Sequence, residues 1–218
     1  RPTTLAFVTT DARIQPAVLR RLLTRATQQT FNRASVDGDT STNDSIYLLA
    51  SGQASSRSIE SKGRAAERFE GALTEVLEAL VKMIVADGEG AQHLVRVQVG
   101  GARTDADAVQ IARTIATSQL VKTAIHGCDP NWGRILAAAG RSGVRLRPKK
   151  VSVHIGQVPI FCDGEPVMTA RTEGRASRAM AKAEYLIEVR VGAGKGQGHY
   201  WTCDLGHEYV RINADYRT

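Results

Sequence analysis

The sequence predicts a mixed α/β fold, of the α/β or α+β class. Apolar residues recur at helical spacing in some segments and alternate at strand spacing in others. The two kinds of segment are interleaved without the strict regularity of repeated strand–helix–strand units, and glycine-bearing breaks separate them. Residues 4–10 (TLAFVTT) are short, apolar and β-leaning and read as a buried strand. Pro16 then opens a helix with Val18, Leu19, Leu22, Leu23 and Ala26 on one face. Residues 36–45 (VDGDTSTNDS) carry side chains that bond their own backbone, which favours a loop, and the Ser- and Gly-rich 52–64 reads as an exposed connector.

The clearest helix runs from about Arg64 to Ala86, with Phe69, Leu73, Val76, Leu77, Leu80, Val81 and Ile84 in period and Asp87-Gly88 ending it. A strand is expected at 94–99, and Thr104 caps a helix reaching Ala116. Gly100-Gly101, between them, is the expected domain boundary, dividing the chain into 1–100 and 101–218. VSVHI-GQ-VPIFC (151–162) reads as a hairpin with Gly156 supplying the positive φ of a type II′ turn. A short helix near 174–183 and strands near 185–191, 200–204 and 209–213 complete the expectation.

Composition excludes several classes. The 218 residues are 42% hydrophobic and 23% charged, ordinary for a globular chain with a real core. No apolar run is long enough to span a bilayer, and no basic-then-apolar leader opens the sequence. Cys128, Cys162 and Cys203 form neither a disulfide framework nor a Cys-x-x-Cys metal pair, so no metal is expected and a reducing, cytoplasmic setting is. The excess of 29 Lys and Arg over 22 Asp and Glu, +7, raises a nucleic-acid-binding module as one reading. Only 5% of residues are aromatic, a poor supply of stacking platforms, and the one basic cluster (Arg141, Arg145, Arg147, Lys149, Lys150) reads better as a solvated loop.

Among chemistry-bearing segments, GAGKGQG (192–198) lacks the spacing and the Ser/Thr of a phosphate loop and reads as a mobile hairpin tip. HGCDPNWGR (126–134) reads as an irregular loop that shapes a pocket or an interface, with Cys128 as nucleophile the weaker reading. Thr3 and Thr4 precede the first strand. A threonine hydroxyl needs a base, and for the first residue of a chain its own α-amine, titrating at about 7.7–8.0, can serve. From these residues alone, the ordinary reading of β-favouring threonines in a strand stays ahead.

Six segments taken together carry more. They are Thr3-x-Leu-Ala-Phe-x-x-Thr-Asp-Ala12, Gly38-Asp-Thr-Ser-Thr-Asn-Asp44, Asp87-Gly-Glu-Gly90, Leu120-Val-Lys-Thr-Ala-x-x-Gly-x-Asp-Pro-Asn-Trp-Gly-Arg134, Trp201-Thr-Cys-Asp-Leu205 and Tyr209-Val-x-Ile-Asn-Ala-Asp-Tyr-x-Thr218. In order and spacing the chain resembles, end to end, the β-chain (the C-terminal half) of the ornithine acetyltransferase, or glutamate N-acetyltransferase, family. The resemblance implies a layered α/β/β/α core followed by a second, smaller α/β domain. It implies a precursor that cleaves itself before a threonine, leaving an α-chain associated with this β-chain as an α2β2 assembly. That threonine takes the acetyl group from N-acetylornithine and passes it to glutamate through an acyl-enzyme, without a cofactor, and some members also take acetyl-CoA as donor. An N-terminal-nucleophile amide hydrolase, with water as acceptor, is the rival for the same residues.

Carried over by position, Thr3 is the nucleophile, with Thr4 the fallback if the register is off by one. Glu89, Asn213 and Thr218 are substrate contacts; Glu89 suits the ammonium of acetylornithine, and the neutral donors suit its carboxylate. Without the resemblance these three read as a solvated turn residue, an outward strand position and a frayed terminus. The Gly38–Asp44 loop is expected to order backbone near the site, and the oxyanion donors belong to the α half. One departure bears on chemistry: Arg1-Pro2 precedes Thr3 where the family usually has alanine. While they remain attached, Thr3 has an amide nitrogen and no base. That fits an unprocessed or engineered form, a form trimmed further before it works, or a member without the activity.

Overall fold

The computed structural model describes residues 4–54 and 57–215. In chain order the elements of the first part are β1 (Leu5–Thr10), α1 (Pro16–Gln29), β2 (Ala34–Ser35), β3 (Ser45–Ala50), α2 (Arg64–Ala86) and β4 (Leu94–Ala102). There follow α3 (Asp105–Ala116), α4 (Gln119–His126), α5 (Trp132–Gly140), β5 (Ser152–Ile155), β6 (Val158–Cys162) and β7 (Glu165–Pro166). The chain then forms α6 (Ala170–Met180), β8 (Glu184–Arg190), β9 (Gly196–Cys203) and α7 (His207–Asp215). The fold is mixed α/β as expected, and no helix among the described residues is long and apolar enough to cross a membrane.

Two compact units emerge, one of residues 1–32 with 39–81, the other of 33–38 with 82–218. The division therefore falls within α2 and not at Gly100-Gly101, which lies inside β4, a single nine-residue strand. The expected boundary after residue 100 is corrected accordingly, and the second unit carries the larger sheet. The reason is physical: a glycine pair marks a local break in side-chain pattern, but Gly100 is still paired on both sides, with Arg190 and with Gln197.

In the first unit, β1 pairs with β3 in parallel, Leu5 against Ser45 through Thr10 against Ala50. Alternation sends Val8, Ile46 and Leu48 onto Leu23 and Ala26 of α1 and Leu73 and Leu77 of α2. The opposite face carries exposed Leu5, Phe7, Tyr47 and Leu49, with the Phe7 and Tyr47 rings stacked at 5.1 Å. Pro16 stands at the first turn of α1, where its missing N–H costs nothing.

In the second unit, a seven-stranded sheet runs in the order β2-β9-β4-β8-β5-β6-β7. Central β4 is parallel to β8 and antiparallel to β9. Its Val95, Val97 and Val99 are buried with Ile111 and Ile115 of α3, Val153, Ile160, Ile187 and Val189. Thr104 caps α3 as its sequence predicts, accepting from the Asp107 amide at 3.1 Å, with Asp105 and Asp107 at the positive end of the helix dipole. Gly156 has φ 57 and Gln157 has no positive φ, as a type II′ hairpin requires.

Three expectations are corrected. Residues 209–213 form helix α7 and not a strand; the alternating Val210 and Ile212 belong to an exposed-to-half-buried helix with no buried residue. HGCDPNWGR is not loop throughout: α4 ends at His126, Cys128 turns the chain with φ 49, and Asn131 caps α5 by accepting from the Arg134 amide at 3.1 Å. Segment 192–198 is no hairpin tip, because β8 and β9 are not neighbours; it carries the chain across the end of β4, which lies between them. A Cβ at Gly194 would stand 1.9 Å from the Ala102 carbonyl oxygen, and one at Gly196 would stand 2.3 Å from that of Thr104. Glycine there is a demand of backbone-on-backbone crossing. Gly194→Ala is therefore expected to destabilise the fold by about 2–3 kcal/mol, read as a Tm lowered by about 5–10 °C. Gly140→Ala, at the end of α5 where nothing lies within 4 Å, should not lower Tm and should raise it by about 1–3 °C.

Candidate active site

Glu89 is half-buried in the turn that ends α2. Backbone bonds from Asp87 to Met83, Gly88 to Val85 and Ala91 to Gly88, at 3.0, 3.3 and 2.9 Å, build the turn. Gly90 takes φ 71, and a Cβ there would lie 2.6 Å from Cβ of Glu208 and 3.0 Å from the Tyr209 amide nitrogen. The turn thus backs directly onto the first residues of α7. One turn further along α7, exposed Asn213 donates from Nδ2 to the Tyr209 carbonyl at 3.0 Å, and the Tyr209 hydroxyl donates to Asp37 at 3.1 Å. The fold therefore brings the Glu89 turn and the helix of Asn213 together.

Behind this junction lies a polar cluster at the end of the sheet where β4 and β8 begin and β9 finishes. Asp204, 3% exposed, follows β9. Its Oδ1 accepts from the amides of Gln92 and His93, at 2.7 and 2.9 Å, and its Oδ2 accepts from Nδ1 of His126 at 2.7 Å. Burial works against the charge on Asp204, but the His126 bond and the two amides outweigh it and hold the carboxyl below the usual aspartate range. His93 donates from Nδ1 to the Lys182 carbonyl at 2.9 Å, which fixes its tautomer and turns Nε2 toward Sγ of Cys128, 3.9 Å away. The imidazole in contact with the cysteine is thus one 35 residues earlier in the chain.

Lys122, 1% exposed, lies on the apolar face of α4. Its ammonium donates to the Cys203 carbonyl and, at 3.2 Å, to Thr202 Oγ1, and stands 3.5 Å from Cys203 Sγ. Burial pushes this ammonium below its ordinary pKa, against an opposing pull from Cys203, Asp204 and Asp37. Burial likewise pushes the Cys203 thiol up, with Lys122 opposing. Lysine and strand end are also joined by the backbone bond from Leu205 to Lys122, at 3.1 Å.

Thr3 and Thr218 lie outside the described residues. Within the first unit, the amide of Thr4 donates to Asp44 Oδ1 at 2.8 Å, and Ser45 donates to the Thr4 carbonyl at 2.9 Å. The Gly38–Asp44 loop accordingly holds the residue next to Thr3, the backbone-ordering role its composition suggested. Lys122, His126 and Asp204 lie within segments quoted from the sequence, but neither they nor His93 were assigned a role there. A lysine among apolar helix neighbours and an aspartate closing an apolar strand were the available signals, since such groups are rarely buried without partners. The basic cluster stands elsewhere: Arg145, Arg147, Lys149 and Lys150 line an open groove of about 1020 Å³ with Gly101, at the end of β4 opposite Glu89. No group of three metal-ligating side chains is assembled among the described residues.

A family model described as the ArgJ family matches residues 2–218. The arginine biosynthesis bifunctional protein of a Synechococcus strain is 47% identical over 223 residues, covering 99% of this chain and 54% of that protein. Its counterpart from Desulfotalea psychrophila is 49% identical over 216 residues, covering 99% and 55%. The crystal structure of the arginine biosynthesis bifunctional protein from Bacillus halodurans superposes with a TM-score of 0.94 at 42% identity, over 98% of this chain and 100% of that one. The chain spans about half the length of the curated relatives it matches.

The lowered carboxyl of Asp204 has a definite sign in pH. Its ionised form stabilises the fold above the unfolded aspartate value of about 3.9, and that contribution disappears as pH falls through the lower folded-state value. The urea midpoint should therefore drop on acidification below about pH 4. Asp204→Asn should start from a lower midpoint at neutral pH and show a shallower acid drop; equal slopes would contradict the assignment.

Proposed function

This chain belongs to the ArgJ family, and from that membership we propose that it is the nucleophile-bearing half of an acetyltransferase of arginine biosynthesis. N-acetylornithine is the donor and glutamate the acceptor, with acetyl-CoA a second donor. The observation that carries the reading is the seating of Gly90 on Glu208 and Tyr209, which sets the turn of half-buried Glu89 against the first residues of the helix that bears Asn213. A carboxylate and a neutral amide carried on adjoining elements match a zwitterionic amino-acid substrate, the first for its ammonium and the second for its carboxylate.

In the proposed reaction Thr3 is the first residue of the working β-chain, freed when the precursor cuts itself. Its Oγ1 attacks the acetyl carbonyl carbon while its own α-amine takes the hydroxyl proton. The C–N bond of the tetrahedral intermediate then breaks, ornithine leaves with the proton returned to its nitrogen, and the acetyl group remains as an ester on Thr3. The amine of glutamate attacks that ester, its proton passes to the Thr3 amine, and N-acetylglutamate departs as Oγ1 is regenerated. Asp44 holds the adjacent Thr4 amide and so limits the travel of the nucleophile. Thr218 completes the substrate contacts from the end of the chain.

The oxyanion donors come from the α-chain of the same precursor, in a cytoplasmic α2β2 assembly. The exposed apolar face of the first unit, Leu5, Phe7, Tyr47 and Leu49, is what a chain with a missing half would present, since monomeric proteins seldom leave such a patch to water.

Incubating the assembled protein with N-acetylornithine and no acceptor should leave one acetyl group on the peptide that begins with Thr3. Glutamate should discharge it as N-acetylglutamate, whereas discharge to acetate at the same rate with and without glutamate would identify a hydrolase. Thr3→Ala should abolish both precursor cleavage and turnover; active protein that retains Arg1-Pro2 ahead of the threonine would rule out the amine as base. Glu89→Gln should raise KM for N-acetylornithine about tenfold with kcat changed by less than about threefold, the pattern of a lost binding contact.

A further inference from the structure

We infer that Asp204 is a positioning residue for substrate binding: it locks the Glu89 turn to the lead-in of the Asn213 helix. The inference rests on the reading of Glu89 as a substrate contact. Three segments distant in sequence converge on this one carboxylate. The first is the stretch after the turn, whose Gln92 and His93 amides both point at Oδ1, at 2.7 and 2.9 Å. The second is the end of α4, through His126 Nδ1 on Oδ2 at 2.7 Å. The third is the chain that carries Asp204 itself, which reaches α7 at His207 after only two residues.

That short span leaves little slack. The Leu205 amide is bonded to the Lys122 carbonyl at 3.1 Å, and a Cβ on Gly206 would stand 2.4 Å from Cε1 of His126. The His126 and His207 rings meet edge to face at 6.4 Å. On the other side only Gly90 and Ala91 separate Glu89 from Gln92, and Gly90 itself seats on Glu208 and Tyr209. A rigid loop closes from Asp204 to the Gln92 amide, back through Gly90 to Glu208, and along the chain to Asp204. A shift of the carboxylate therefore moves the Glu89 turn relative to α7. An acceptor of two amides and an imidazole is a task that suits an ionised carboxylate, whose two oxygens offer about four lone-pair sites. The cluster touches no reacting atom in the proposed scheme, so its effect is on where the binding groups stand.

The test uses the assembled enzyme and steady-state kinetics with N-acetylornithine. Asp204→Ala should raise KM at least about tenfold, because the Gln92 and His93 amides and the His126 imidazole lose their charged acceptor. Asp204→Asn keeps the shape and one acceptor oxygen and should raise KM about threefold. In both, kcat should stay within about twofold. A merely structural role would behave differently: fewer folded molecules lower kcat and leave KM alone. An unchanged KM in Asp204→Ala overturns the inference. If that variant does not fold, Asp204→Asn decides by the same criterion. Amide exchange supplies the second readout: Gln92, His93 and residues 205–210 should exchange faster in Asp204→Asn while β8 does not. Protection unchanged at those amides also counts against the lock. Glu89→Gln run in parallel separates the two levels. If its KM is unchanged, the Glu89 assignment fails. If its KM rises and that of Asp204→Ala does not, the positioning inference alone fails. In the double variant the two KM effects should be less than multiplicative, since both act on one contact.

Discussion

One buried carboxylate organises the end of the larger sheet. Asp204 satisfies two consecutive backbone amides and an imidazole at once, drawn from two separate stretches of chain. Without it the buried His93 amide would face no acceptor, a cost of about 1–3 kcal/mol. The desolvation of the carboxylate is offset only because every donor is aligned, which is why its geometry is unforgiving. Lys122 plays the matching part on the preceding residue, capping the Cys203 carbonyl from within α4. Between them these two side chains tie β9, α4 and the start of β4 into one block, and the turn bearing Glu89 and the helix bearing Asn213 are mounted on it.

The two ends of that sheet solve different problems. At the far end of β4, the chain must pass from β8 to β9 over the strand that separates them. Backbone lies on backbone there, and glycines at 101, 192, 194 and 196 leave the room. At the near end, polar groups are buried and partnered. A close-packed glycine crossing gives rigidity through backbone contact, whereas a satisfied polar cluster gives it through aligned hydrogen bonds. The exposed basic side chains around the crossing lie with the first kind of end, away from Glu89.

The first unit is a small sheet with helices on one face only. Its other face is apolar and open, and the loop that ends in Asp44 steadies the strand at the residue after Thr3. These features accord with the proposed reading, in which another chain completes this one. The proposed chemistry asks the same of it, with a nucleophile and binding groups here and oxyanion donors elsewhere.

Much of the fold was legible because local physics decided it. The helix from Arg64 to Ala86, the Pro16 start of α1, the Thr104 cap and the Gly156 hairpin each follow from side chains within a few residues of one another. The glycine-flanked turn of Glu89 and the Asx-rich loop before β3 likewise take the local shapes their residues suggested. What was not legible depends on partners far along the chain. The strand order that places β4 between β8 and β9 turns a supposed hairpin tip into a crossing, and Val210 and Ile212 alternate like a strand yet sit in a helix. Asp204 looked like the end of a strand until residues 92, 93 and 126 were brought to it across separations of about a hundred positions. By itself the sequence determined the periodicity, caps, turns and family motifs, because those arise from neighbours. Only the tertiary structure decided which buried polar groups meet, because hydrogen-bond satisfaction is settled by proximity in space and leaves no periodic trace in the chain.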